Sequence, residues 1–323
     1  MGLARCVLVL ALLLAAHAPA RAIEGAAAAG PIGGTDIRSA QLPPPGVYGG
    51  NIFVWAEGFD FVDGHGKTIP VLNEARLTKT LTGPFVLYVP DFQVLGGTVG
   101  LAAVVPYGRE CGKLFALSPT ECLSGFGDPY IELDWSRSFG TLRASNYAGA
   151  APIFEGWSVL AGIGVLLPLG EYDAVTATQK GLTIGSNVYD IAPTVALTYT
   201  TPPILAEGTE FSTKIYWNNY RINPDTQYLT GDFIGIDFAI TERIGKFQVG
   251  LAGVYAFQIE DDTLAGAPVA SDGRRADVLN LGVVINYDMP EYLASLKVKA
   301  LFTDFAENAV RSTGIVAGWY HKF

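Results

Sequence analysis

From Tyr48 to the end of the chain, apolar residues recur at every second position. Across 279–289 the odd positions are Leu279, Leu281, Val283, Ile285, Tyr287 and Met289, while Asn280, Asn286 and Asp288 fall between them. Phe247, Val249, Leu251, Tyr255 and Ile259 oppose Lys246, Gln248 and Gln258 in the same way. Ile131, Leu133, Trp135 and Phe139 oppose Asp128, Glu132, Asp134 and Ser136. A period of two maintained this long marks strands with one wet and one apolar face.

The alternating segments run about 10–15 residues, against roughly 5–6 in soluble sheets. A tilted strand needs about 9–11 residues to cross a bilayer. The pattern predicts about twelve strands, near 48–62, 71–89, 92–105, 126–139, 154–168, 188–200, 208–222, 229–241, 246–259, 276–288, 292–304 and 310–323. The connections at Pro90-Asp91, 242–245 and 289–291 are tight, whereas 106–125, 169–187 and 260–275 are long and polar. The expected fold is all-β, a transmembrane antiparallel up-and-down β-barrel of the Gram-negative outer-membrane type. Short turns then lie in the periplasm and long loops outside. The connections near 140–153 and 201–207 are longer than this rule predicts.

The end of the chain fits such a barrel. Ile315, Ala317, Trp319 and Phe323 share one face of the last segment, with His321 the lone polar member. Trp319 and Phe323 are expected to face lipid and to act as the assembly signal read by the barrel-assembly machinery. Tyr130, Trp135, Trp217, Tyr220, Trp319 and Tyr320 are expected in the aromatic girdles.

Composition agrees. Half of the residues are apolar and 16% are charged, below the roughly 25% of soluble domains. No stretch after residue 22 reaches the length of a helical span; the richest, 159–169, is short and broken by Gly162, Gly164 and Pro168. Arg5, the apolar run 7–16 and Ala20-Arg21-Ala22 read as a signal peptide over residues 1–22. Its removal takes two arginines and no acid, moving the formal charge from −10 to −12. That balance argues against nucleic acid as a partner and leaves outer-membrane lipids and a small solute. Residues 23–46, rich in Ala, Gly and Pro, read as a flexible periplasmic leader, too short and featureless for a folded plug. The barrel itself is expected over 47–323.

Signal removal also takes Cys6, leaving Cys111 and Cys122. In an exported chain this pair suggests a disulfide closing a loop; a metal pair and two free thiols are the alternatives. With only His65 and His321 beyond residue 22, a metal site lacks ligands. No cofactor motif is present.

Charge in lipid costs about 2–4 kcal/mol per residue at the midplane, so polar members of the strands should face inward. Asp128, Glu132, Asp134, Lys214, Asp237, Gln258, Lys297 and Lys299 are the candidate lumen residues, with the acids facing Lys297 and Lys299. Gly162, Gly164, Gly235, Gly250, Ala252 and Gly282 would leave room for a pore. Glu132 and Asp134 stand two apart on one face, a spacing that also suits paired-carboxylate hydrolysis. A polar lumen wall is the plainer reading. In the first two strands Asn51 and Glu57 share a face with Phe53, Trp55 and Phe59, so the inward side is not decided there.

Several short motifs occur in order: Pro45-Gly46-Val47-Tyr48, Gly125-Phe126-Gly127-Asp128, Leu167-Pro168-Leu169-Gly170-Glu171-Tyr172 and Glu210-Phe211-Ser212. Asn223 with Thr226-Gln227-Tyr228 and Gly231 follows, then Tyr255 with Gln258 and Asp261. Over about 46–323 this series resembles the outer-membrane β-barrel family named for the meta-pathway (MetA-pathway) of phenol degradation. The resemblance implies uptake of hydrophobic or aromatic compounds and supplies no catalytic residues. The cysteine pair stands outside that pattern. The expected function is a passive channel. A barrel displaying a disulfide-closed loop to a partner, and a hydrolase using Glu132 and Asp134, are the alternatives.

Overall fold

The computed structural model describes residues 34–323. The expected signal peptide and residues 23–33 of the expected leader lie outside the described residues. Twelve long strands form the wall: β1 (Gly46–Phe61), β2 (Arg76–Val89), β3 (Gly97–Val104, continued by Tyr107–Lys113), β4 (Glu121–Phe126, continued by Tyr130–Arg143), β5 (Ile153–Leu166) and β6 (Asp190–Thr200). They continue as β7 (Thr209–Tyr220), β8 (Phe233–Ile244), β9 (Phe247–Gln258), β10 (Asp277–Met289), β11 (Ala294–Glu307) and β12 (Val310–Lys322). Each pairs antiparallel with its neighbours in sequence, and β1 pairs with β12 from Tyr48↔Lys322 to Phe61↔Val310, so the sheet closes. Closure leaves no strand edge unpaired, the condition for a sheet in hydrocarbon.

Gly46 and Phe323 lie at one rim, here the terminal rim; the backbone N–H of Phe323 donates to the carbonyl of Val47 at 2.9 Å. Turns at this rim are built for reversal. Gly245, at φ +60°, opens the two-residue link between Ile244 and Phe247. Leu95 and Gly96, at φ +50° and +71°, link Val94 to Gly97. Such left-handed positions match the twist of the flanking strands. The opposite rim carries the long loops, including helix α1 (Ala174–Lys180), capped by the Asp173 carboxylate on the N–H of Thr176. One connection breaks the expected sorting: β11 and β12 join at the loop rim through Asn308-Ala309 alone.

The expected long loop 106–125 is instead mostly strand. The second segments of β3 and β4 pair from Tyr107↔Phe126 to Gly112↔Glu121, extending the barrel wall beyond the break at 105–106 and 127–129. Cys111 and Cys122 are directly opposed in that register and are disulfide-bonded. The bond staples a hairpin.

The outward faces are the apolar ones read from the pattern. Leu281, Val283, Ile285, Leu251, Leu296, Phe302, Ile131 and Leu133 are exposed to the surrounding medium. Phe323 is 75% exposed and Trp319 lies on the same outer face. Inside the loop rim packs an apolar cluster that includes Val62, Tyr130, Leu166, Tyr220, Phe233 and Ala306. Tyr130, Tyr220 and Tyr320 thus differ from Trp135, Trp217 and Trp319. The tyrosines sit at even-numbered, inward positions, and only the tryptophans can belong to a girdle. Strand parity separates residues that mere nearness to a strand end groups together.

Candidate functional site: the lumen and its internal segment

Residues 34–45, expected to be part of a flexible leader, lie inside the barrel. Thr35 donates to Asp237 Oδ2 through its backbone N–H (3.0 Å) and its hydroxyl (2.8 Å), and the hydroxyl lies 2.7 Å from Tyr216 Oη. Asp36 places Oδ1 2.7 Å from Lys297 Nζ and Oδ2 3.0 Å from Lys299 Nζ. The Arg38 N–H donates to Glu210 Oε1 at 2.8 Å, and its guanidinium pairs with Asp288 at 3.1 Å. Ser39 bonds Ser212, the Ala40 N–H donates to Thr198 Oγ1, and the Ala40 carbonyl accepts from Ser136 Oγ. A short stretch, Thr35-Asp36-Ile37-Arg38-Ser39-Ala40, is thereby held by side chains from β4, β6, β7, β8, β10 and β11.

These pairs explain why lysines are tolerated in the wall. Asp36 is 0% exposed and Lys299 1% exposed. Burial alone would raise the Asp36 carboxyl; the Lys297 and Lys299 ammoniums outweigh it and hold the group well below the usual carboxylate range. Arg38 follows the mirror logic: burial would lower it, and Asp288 and Glu210 raise it. A buried ion pair that loses one partner costs about 3–5 kcal/mol, since the other charge remains without compensation.

The predicted lumen residues are all buried, but not as one cluster. Lys297 and Lys299 answer Asp36, a residue that the pattern did not single out. Glu132 and Asp134 answer Lys214 instead, with Lys214 Nζ 2.9 Å from Glu132 Oε1 and 3.9 Å from Asp134 Oδ1. Thr194 Oγ1 donates to that same Glu132 oxygen at 2.9 Å. This bonding makes the carboxylate pair part of the lumen wall. Asp237 holds Thr35. Asp128 and Gln258 sit at the loop rim and act on loops: Asp128 accepts from the N–H groups of Gly170 (2.8 Å) and Ser186 (2.6 Å), and Gln258 donates to Asp262 at 2.7 Å.

The missed residues are Asp36, Arg38, Glu210, Arg243 and Asp288. Arg243 Nη1 lies 2.7 Å from Asp288 Oδ2, so Asp288 joins two guanidiniums. Parity alone could have placed Glu210, Arg243 and Asp288 inside. Nothing periodic announces Asp36 or Arg38, because their segment is not a strand.

The inward glycines also have a different use from the expected one. A Cβ on Gly164 would meet Tyr130 Oη at 1.8 Å, and one on Gly162 would meet Asp134 Oδ1 at 2.2 Å. The room is taken by side chains laid flat on β5. A cavity of about 830 Å³ runs between the internal segment and the opposite wall. That wall is apolar on its inner face as well. Ile52 on β1, Phe85 and Leu87 on β2, and Ala102 and Val104 on β3 face the lumen. Asn51, Glu57, Thr78, Thr80 and Thr82 share the outward positions with Phe53, Trp55 and Val86, and Thr82 Oγ1 donates to Asn51 Oδ1 at 2.8 Å. One side of the lumen is polar and filled; the other is apolar and lines the cavity.

The profile of the family described as "Putative MetA-pathway of phenol degradation" matches residues 58–318. The chain belongs to that family. Among solved structures, this member of the phenol-degradation family is similar to an outer membrane channel from Pseudomonas putida F1. The two share 15% identity, the match covers 89% of this chain and 98% of that one, and the TM-score is 0.72. A weaker likeness is to the transport unit of the autotransporter AIDA-I from Escherichia coli, at 10% identity, 89% and 93% coverage and a TM-score of 0.48. At these identities the first match shows the shared outer-membrane barrel fold. No curated protein matches the chain.

Proposed function

We propose that the protein is a passive outer-membrane channel for small apolar or aromatic compounds, exported by a cleaved signal peptide and gated by its own residues 34–45. The observation that carries this reading is the apolar inner face of β1–β3: Ile52, Phe85, Leu87 and Val104 face an internal cavity of about 830 Å³. A channel for ions would gain nothing from such a lining, whereas an apolar solute exchanges water for it favourably at about 25 cal/mol per Å². The volume falls within the roughly 300–1,000 Å³ of small-molecule sites. In this orientation the terminal rim is periplasmic and the loop rim extracellular. Loop-rim sealing by the Val62–Phe233 cluster and ion-paired filling by residues 34–45 both have to yield for passage.

Reconstituted vesicles test the reading, comparing aromatic, aliphatic and charged solutes with the intact chain and with a chain lacking residues 34–45. Faster uptake of aromatic solutes, with a rise on deletion, is expected. Absence of both conductance and solute-dependent swelling in the deletion variant would refute it.

A further inference from the structure

Most of the outer wall carries large apolar side chains, but a polar strip runs over β1–β3. Thr78, Thr80 and Thr82 take three successive outward positions of β2. No other strand of the wall places hydroxyls at three outward positions in a row. Glu57 flanks them on β1 and Arg109 on β3, through the pairs Glu57↔Thr78 and Thr80↔Arg109. Phe59, next to Glu57 on its face, is 41% exposed, and Tyr107, next to Arg109, is 46% exposed. Neither Glu57 nor Arg109 has a hydrogen bond or ion pair among the described residues. A charged side chain on the lipid face destabilises a barrel unless an opposite charge answers it.

The two charges stand at one height. Tyr48, two residues from the terminal end of β1, pairs with Leu87, and that row continues through Ala102, Glu132 and Gly164 to Ala192, two residues from the loop end of β6. Rows of paired residues thus climb toward the loop rim with increasing strand number. The row of Glu57 passes through Thr78 to Cys111 on β3. At a tilt of about 35–45° and about 4.8 Å between strands, two steps climb the equivalent of roughly two to three residues. Arg109, two positions nearer the terminal rim than Cys111 and on the same face, therefore lies level with Glu57.

We propose that this strip is the interface of a homodimer, in which a second copy of the chain packs its β1–β3 against β1–β3 and Glu57 of each copy pairs with Arg109 of the other. Two copies inserted the same way into one membrane are related by an axis along the membrane normal. A two-fold axis at β2 carries β1 of one copy opposite β3 of the other, so level charges of opposite sign meet twice. Between them lie Thr78 and Thr80, whose hydroxyls both donate and accept. A surface with both functions complements itself across such an axis. Their short side chains also let the two walls approach, where leucine or phenylalanine would hold them apart. Lipid tails would leave both charges unanswered. The inference concerns the outer wall and stands apart from the channel reading.

Cysteine cross-linking in isolated outer membranes tests the dimer, because Cys111 and Cys122 are bonded to each other and leave no thiol among the described residues. On mild oxidation Thr80→Cys should give a disulfide-linked dimer. Ile240→Cys, on the far side of the barrel in β8 and 49% exposed, should not. In the Thr80→Cys background, Glu57→Arg or Arg109→Glu sets like charges face to face and should abolish the link. The two swaps together should restore it. Heat-modifiable mobility on electrophoresis checks that each variant is folded; if a single swap does not fold, Glu57→Gln and Arg109→Gln carry the test, each with loss of most of the link. The same pattern is expected of purified protein in vesicles at low protein density. Cross-linking of Thr80→Cys no faster than that of Ile240→Cys, or folded charge variants that link like the parent, would overturn the dimer. So would a double swap that fails to restore the link. A link to a different membrane protein, absent from the pure-protein vesicles, would overturn it in favour of a foreign partner.

Discussion

Asp36 stands between Lys297 and Lys299 with one carboxylate oxygen on each, at 2.7 and 3.0 Å. Asp36→Ala leaves two buried ammoniums facing each other on β11, and the loss of docking should be about 3–5 kcal/mol. Residues 34–45 should then spend far more time out of the lumen. Single-channel recordings in planar bilayers would show higher mean conductance or longer open periods than the wild type; unchanged recordings would rule out Asp36 as the latch.

The same latch sets a pH window. The docked Asp36 carboxyl titrates below its ordinary value of 3.8, because the two ammoniums outweigh burial. A depressed carboxyl contributes its full stabilisation above the undocked value and loses it as pH falls through the docked one. Conductance should therefore be insensitive to this group between about pH 5 and 8 and rise only below about pH 4. A pH series on wild type and Asp36→Asn checks this: the acid rise should be much smaller in the variant.

Gly164→Ala probes the glycine floor of β5. The added Cβ would fall 1.8 Å from Tyr130 Oη, so the ring has to swing into the cavity. Overpacking of this kind costs about 1–3 kcal/mol, and the displaced ring should also lower naphthalene binding. The thermal midpoint of the heat-modifiable form and a binding isotherm measure the two effects.

Reducing the Cys111–Cys122 bond should lower resistance to unfolding by roughly 3 kcal/mol in the chain-entropy model without changing conductance. The bonded pair belongs to a hairpin at the loop rim, outside the lumen. Urea titrations with and without reductant, beside recordings on Cys111→Ser/Cys122→Ser, test both halves.

Deletion of Phe323 should impair insertion into the outer membrane and leave export across the inner membrane unaffected. Its ring is 75% exposed on the outer face, and its backbone N–H bonds Val47. Fractionation that found wild-type amounts in the outer membrane would contradict an assembly role.

The barrel was legible from alternation because most of its wall obeys one rule, apolar outward and polar inward. Phe247, Leu251, Leu281 and Val298 could be assigned from parity alone, and so could Lys297 and Lys299. The rule breaks in β1 and β2, where both faces carry apolar residues; Ile52 and Leu87 face the lumen while Phe53 and Val86 face out. Such strands have no period-two contrast to read. Residues 34–45 were illegible for another reason. The wall partners of residues 34–40 lie 96 to 263 positions away in sequence, and a segment held by side chains at such distances carries no local periodicity. The break at 105–106 and 127–129 hid a continuous wall behind what reads as a loop.

The anchored residues of the internal segment end only a few positions before Gly46, the first residue of the strand that closes the barrel against β12. A tether of that length keeps a released segment at an effective concentration in the millimolar range or above. Undocking is thus always followed by a rapid intramolecular search for the same ion pairs. On the proposed gating by residues 34–45, the closed state is restored after each opening by this intramolecular search, with no second protein required.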